Sequence, residues 1–463
     1  MNESVKELKE KLFFQNKNGA HKASKEVLEE AGRYAEGYKT FLNTARTERL
    51  AVKEAIRMAE SKGFVPFEVG KTYRPGDKVY VNNHQKSAIL AVIGTEPVAN
   101  GLHIAAAHID SPRLDLRPNP LYEKNELALF KTHYYGGIKK YQWTTIPLAL
   151  HGVIVKTSGE LVEVSLGDSP DDPCFVITDL LPHLAKEQQQ RTLDEGIKAE
   201  ELNLLIGSHA FKDDEESELV KLNILAILNE KYGITEADFR SAELEITPAL
   251  PCRDIGFDRS MIGAYGHDDR VCAYPALTAV LDIETPRFTA VTVLADKEEI
   301  GSEGNTGLNS QFLAYFADDL ARMQGTTGSV VLRHSKCLSA DVNAAFDPTF
   351  SDVSEPMNAS YLNHGAVITK YTGHRGKSSS NDASAEYMGE IRSLLDREGV
   401  CWQTGELGRL DLGGGGTVAM YIADLGVDTV DLGVPVLSMH APFEVVAKYD
   451  VYMTYLACKA FLK

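Results

Sequence analysis

Short runs of β-branched and small apolar residues, each bounded by turn formers, recur along this chain and alternate with segments of helical periodicity. SAILAVIGT, LHIAAAHID, ELEITPALP, FTAVTVLAD, KCLSADVNA and DTVDLGVPVLSMHA have the composition of strands buried on both faces of a sheet. Between them, SQFLAYFADDLARM and SAEYMGEIRSLLDREG return apolar residues at helical spacing, as does the charged, Ala-rich stretch from Lys25 to Lys62. Strands alternating with helices imply an α/β domain built on a mostly parallel sheet. The final apolar stretch, FEVVAKYDVYMTYLACKAFL, is too long for a strand and is expected to close the domain as a helix.

That pattern is interrupted once. After the turn-rich SPRLDLRPNP the texture changes to IPLALHGVIVK and ELVEVSLG, two strand-like runs joined by TSG. Residues 114–242 are therefore expected to form an inserted β-rich domain, with 1–113 and 243–463 making up a discontinuous main domain. The polar stretch from Lys186 to Glu218 is expected to contribute little core. A length of 463 residues agrees with two domains, because single cores stop growing at roughly 250 to 300 residues.

Composition narrows the possible partners. The net charge of −18, with no dense run of Lys and Arg, argues against nucleic acid and anionic membrane surfaces. Six cysteines are scattered without any CxxC pair, which fits a reducing compartment rather than a disulfide framework. The opening MNESVKELKEKLFF carries charge where a secretion signal needs an apolar stretch, and no segment nears the roughly 20 apolar residues of a membrane span. A cytoplasmic protein is expected.

Several strand-like runs end on histidine or carboxylate. AAAHID delivers His108 and Asp110, ADKEEIGSEG delivers Glu298 and Glu299, LSADVNAA delivers Asp341, and PVLSMHAPFE delivers His440. AYGHDDRVCAY adds Asp268 and Asp269 at a helix start. Each alone has an ordinary reading: a surface charge, a helix cap, a solvated turn or a hydrogen-bonded core histidine. Together they point to one crevice at the carboxyl ends of the strands, since ionised groups next to buried strands are costly unless paired or bound to a cation. Histidines and carboxylates without thiolate suit Zn, Mn or Co. One carboxylate can bridge two such ions, and a carboxylate that is not a ligand is then needed to move the proton. Glu298 and Glu299 are suited to divide these roles, and Asp110 is placed to orient the His108 imidazole.

AAAHIDSPRLDLRP, GHDDRVCAY, DKEEIGSEG, SADVNAA and VPVLSMHAPFEV, in this order, resemble the aspartyl aminopeptidase and aminopeptidase I family of di-metal exopeptidases. The resemblance implies that His108, Asp268 and Asp341 hold one ion and that Asp268, Glu299 and His440 hold the other. Asp268 is then the bridge, Glu298 the general base and Asp110 the orienter of His108. It further implies two divalent ions per subunit, zinc foremost with manganese or cobalt as alternatives, and short peptides as substrates. The inserted domain becomes a dimerisation domain within a homo-oligomer, a tetrahedral dodecamer.

On the substrate side, Lys370 in ITKYTGHRGKSSSNDASAE matches the lysine of members that prefer acidic N-terminal residues, but Gly376 and Lys377 stand where Arg-Tyr is expected. A neutral or aliphatic preference is the alternative. His183 is the candidate for a histidine reaching into a neighbouring subunit, and Gly415, within Gly413–Gly416, for a carboxylate or oxyanion contact. Two rival readings remain at this point: a di-metal deacylase acting on N-acylated amino acids, and a catalytically silent scaffold.

Overall fold

The computed structural model describes residues 4–14, 17–212 and 216–463. A nine-stranded sheet runs in the order Val65–Pro66, Lys78–Asn83, Ser87–Val92, Thr289–Ala295, Leu102–His108, Lys336–Ser339, Asp428–Gly433, Ala366–Thr369 and Trp402–Thr404. Its centre, from Thr289–Ala295 to Asp428–Gly433, is parallel. Antiparallel pairs join that centre to both flanks.

The period of two decides the layers. Ala105 and Ala107 face a core shared with the helices Lys25–Thr44, His267–Leu281 and Lys448–Leu462, whereas Ile104 and Ala106 face Phe312–Met323 on the other side. Small residues at 105–107 let these helices lie close to the sheet. The helices Lys25–Thr44, Glu48–Ser61 and Ala385–Arg397 start where Ser24, Thr47 and Ser384 accept a backbone N–H of the first turn.

Register then aligns the functional ends. His108 lies opposite Ala295, and Ala106 opposite Ser339, so the residues after these strands leave the sheet along one edge.

A six-stranded antiparallel sheet, with strands drawn from Arg113 to Pro248, packs around Trp143 and carries the helix Leu219–Tyr232. A five-stranded sheet joins Met261–Ala264 to Glu444–Ala447 and Pro435–Leu437 to Asn343–Ala344. Two expected single strands are in fact divided between sheets. KCLSADVNA splits into Lys336–Ser339 and Asn343–Ala344, and DTVDLGVPVL into Asp428–Gly433 and Pro435–Leu437. The paired crossings touch at Gly433, where a Cβ would lie 1.7 Å from the Asp341 carbonyl oxygen, so only glycine fits.

Two expectations are corrected. FEVVAKYDV does not begin the closing helix: Glu444–Ala447 is a strand, because Val445 and Val446 pair with neighbours on both sides, and the helix starts at Lys448. The stretch 186–218 is also not without core. The strand Asn203–Gly207 lies within it, and Leu202 and Leu204 are buried under the six-stranded sheet.

Candidate metal centre

The strand Leu102–His108 delivers a buried His108, and the turn after Thr289–Ala295 delivers Glu298 and Glu299. Asp341 sits at the crossing between sheets, and Asp268 at the start of His267–Leu281. His440 precedes the strand Glu444–Ala447. These side chains converge. Nε2 of His108 is 3.2 Å from Asp268 Oδ1, 3.8 Å from Asp341 Oδ1 and 3.9 Å from Glu298 Oε2. Nε2 of His440 is 3.1 Å from Asp268 Oδ2 and 3.7 Å from Glu299 Oε2. Asp268 thus turns one oxygen to each imidazole.

The other ring nitrogens fix the tautomers. Nδ1 of His108 faces only acceptors, the carbonyl and Oδ1 of Asp110 at 3.1 and 3.2 Å, and Nδ1 of His440 faces the Gly137 carbonyl at 2.8 Å. Each Nδ1 therefore carries its hydrogen and donates it, so each Nε2 faces carboxylate oxygens and needs either a proton or a metal ion between itself and them. Lone pair against lone pair is repulsive without a cation between them.

The same deficit of positive charge appears in the titration of the groups. Burial disfavours the His440 cation, yet Asp268 and Glu299 raise its pKa to about 10. Burial pushes Glu298 up to about 7, with His108 opposing and Asp110 adding to the rise. Glu299 and Asp341 are raised too, by burial and then by the charges of Asp268 and Asp269 respectively. Asp268 Oδ1, Glu299 Oε1 and both oxygens of Asp269 are buried without a hydrogen-bond donor. Two groups of mutually close donors arise among the described residues: His108, Asp268 and Glu299, and His108, Asp269 and Asp341. Imidazoles and carboxylates without thiolate fit divalent zinc, manganese or cobalt.

Asp110 holds the arrangement from behind. Its carboxylate accepts from His108 Nδ1, from the Tyr135 hydroxyl at 2.8 Å, and from the amides of Glu298 and Glu299 at 3.1 and 3.2 Å. Glu444, which sequence reasoning passed over, does the same on the other side: its carboxylate accepts the His440 amide at 2.8 Å and the Asp268 amide at 3.2 Å. Its spacing four residues after His440 was the available signal.

The group opens onto a cleft of about 420 Å³ lined by Glu298, Glu299, Asp341, His440, Gly415 and Tyr421 among others. Lys370 does not line it, since its ammonium is held by Asp382. A second chamber of about 430 Å³ adjoins through Thr372, Leu407 and Gly414, and Arg375, Lys377 and Arg409 line it. His183 lies exposed in a turn and lines neither.

Residues 41–462 match a family described as Aminopeptidase I zinc metalloprotease (M18). The chain is 49% identical over 459 residues to a protein named Probable M18 family aminopeptidase 1 from Clostridium acetobutylicum, covering 97% of this chain and 99% of that one. Its fold is similar to the crystal structure of an M18 family aminopeptidase from Thermotoga maritima, with a TM-score of 0.93, 44% identity, and coverage of 97% and 100%. The S. cerevisiae mApe1 dodecamer shares the fold at a TM-score of 0.74 and 19% identity, covering 92% of this chain and 95% of that one.

Proposed function

Because the chain belongs to the M18 family of aminopeptidase I zinc metalloproteases and is a metalloaminopeptidase, we propose that its cleft removes the N-terminal residue of short peptides using two divalent ions. His108, Asp268 and Asp341 hold one ion, and Asp268, Glu299 and His440 the other. The observation that carries this reading is the Asp268 carboxylate, whose two oxygens face the Nε2 atoms of two different imidazoles. When bound, such ions supply Lewis acidity, polarising the scissile carbonyl and making water acidic enough to act near neutral pH.

The chain's own residues do the rest. Glu298 is the base: its side chain is 19% exposed at the cleft, whereas that of Glu299 is 4% exposed beside His440. Glu298 takes a proton from the attacking water and returns it to the departing amine. Asp110 keeps the hydrogen of His108 on Nδ1 and so keeps Nε2 turned toward Asp268. The Gly415 backbone borders the substrate.

Preference for acidic N-terminal residues is part of the proposal, supported by Arg375 and Arg409 around the adjoining chamber, whereas Lys377 beside them is paired with Asp382 at 2.9 Å. A panel of free and N-acetylated aminoacyl amides tests both levels. Free amides are expected to be cleaved, with Asp and Glu fastest. Turnover of the blocked amides alone would establish a deacylase instead, and equal rates for Asp and Leu would remove the acidic preference while leaving the aminopeptidase reading intact.

We further infer a homo-oligomer, a dodecamer by likeness to the mApe1 dodecamer, with the tetrahedral arrangement that the family resemblance implies; the exposed His183 is then free to reach a neighbour's cleft. Sedimentation of the full chain should give a mass twelve times that of one subunit, and a monomer would contradict it. A cytoplasmic location accords with six free thiols, and recovery from a secreted fraction would count against it.

A further inference from the structure

We propose that the strand end Tyr135–Gly137, carried by the six-stranded sheet, is a positioning strap for the metal centre, without which the ions are held loosely. The inference rests on the ligand assignment above and extends it to residues that touch no ion. Three consecutive residues reach three different parts of the centre. The Tyr135 hydroxyl donates to Asp110 Oδ2 at 2.8 Å, and Asp110 in turn accepts from His108. Gly136 lies against Glu299: a Cβ there would stand 3.2 Å from both Cβ and Oε2 of that side chain, and 3.5 Å from Pro112 Cα. The Gly137 carbonyl accepts the His440 Nδ1 hydrogen at 2.8 Å.

The strap is itself anchored. The Arg113 guanidinium lies 3.9 Å from the centre of the Tyr135 ring. It is bound to Glu245 at 3.1 Å, to Asp115 at 2.8 Å, and to Glu48 at 3.4 Å, the last from the helix Glu48–Ser61. The phenol is therefore fixed by both the sheet and the main domain. The Asp110 carboxylate has about four acceptor positions, and His108, Tyr135 and the amides of Glu298 and Glu299 supply a donor for each. Removing one donor lets the carboxylate turn, and His108 turns with it. Gly136 has a φ of +74°, which other residues rarely adopt, so close approach to Glu299 and backbone conformation both call for glycine. Ligand orientation through such contacts changes metal affinity by about 10- to 100-fold.

Tyr135→Phe keeps the ring, and with it the stack on Arg113, and deletes one oxygen. Zn²⁺ affinities of the full chain are measured stepwise by chelator competition in wild type, Tyr135→Phe, Gly136→Ala and His440→Ala. Visible spectra of the Co²⁺-loaded proteins and melting of the metal-free proteins accompany them. Tyr135→Phe is expected to weaken one ion by about 10-fold and shift the Co²⁺ spectrum, with melting of the metal-free chain unchanged. Gly136→Ala should weaken the ion that His440→Ala loses. If wild type binds fewer than two ions, or His440→Ala keeps both, the ligand assignment fails. If those two behave as assigned but Tyr135→Phe matches wild type in affinity and spectrum, the strap is overturned. It is overturned equally if the loss in Tyr135→Phe is matched by lower melting of the metal-free chain.

Discussion

Glu298→Gln is expected to keep both ions and lose turnover by about 10²- to 10⁴-fold, the usual contribution of a positioned general base. That loss corresponds to about 3 to 5 kcal/mol of barrier. The amide matches the carboxylate in size, so the cleft keeps its shape while losing the group that takes the proton from water. Glu299 cannot replace it, since its side chain is buried beside His440. The measurement is kcat and KM for free aminoacyl amides together with metal content. A fall in kcat with two ions retained is the expected result, and turnover within a few-fold of wild type would make the base assignment wrong.

Asp268→Asn is expected to bind at most one ion per chain and to show no measurable turnover. Its two carboxylate oxygens face two different imidazoles, at 3.2 and 3.1 Å, and an amide offers one acceptor oxygen where two are needed. Asp341→Asn, whose carboxylate lies 3.8 Å from the His108 imidazole, should disturb a single ion. Metal analysis of the two variants side by side reads the difference. Two ions retained in Asp268→Asn would remove it as the bridge.

The parts of this centre that lie at strand ends are legible in the sequence. His108 and the Glu298–Glu299 pair follow apolar runs whose period and bounding turns mark strands, and the matched register brings their ends to one edge. What the sequence leaves hidden depends on contacts between distant segments. Gly137 and His440 are 303 residues apart and meet only because the six-stranded sheet closes over the main domain. In the linear chain, Tyr135, Gly136 and Gly137 look like an ordinary strand end followed by a turn.

Length was the misleading signal for FEVVAKYDV, where a continuous apolar run hides a change from strand to helix at Ala447 and Lys448. A charge pattern misled at Lys370. It is a cation in the expected segment, but Asp382, twelve residues on, occupies its ammonium. The acidic stretch around Asn203 likewise conceals a strand, because within Asn203–Gly207 only Leu204 is fully buried and the residues before it are mostly polar.

One titration tests the two-ion centre most directly. The metal-free chain is titrated with Zn²⁺ while release of the free N-terminal amino acid from an unblocked short peptide is followed. The two-ion centre predicts that the rate climbs until two equivalents per chain are bound and then stays level. A plateau at one equivalent, or full turnover in the metal-free chain, would contradict it.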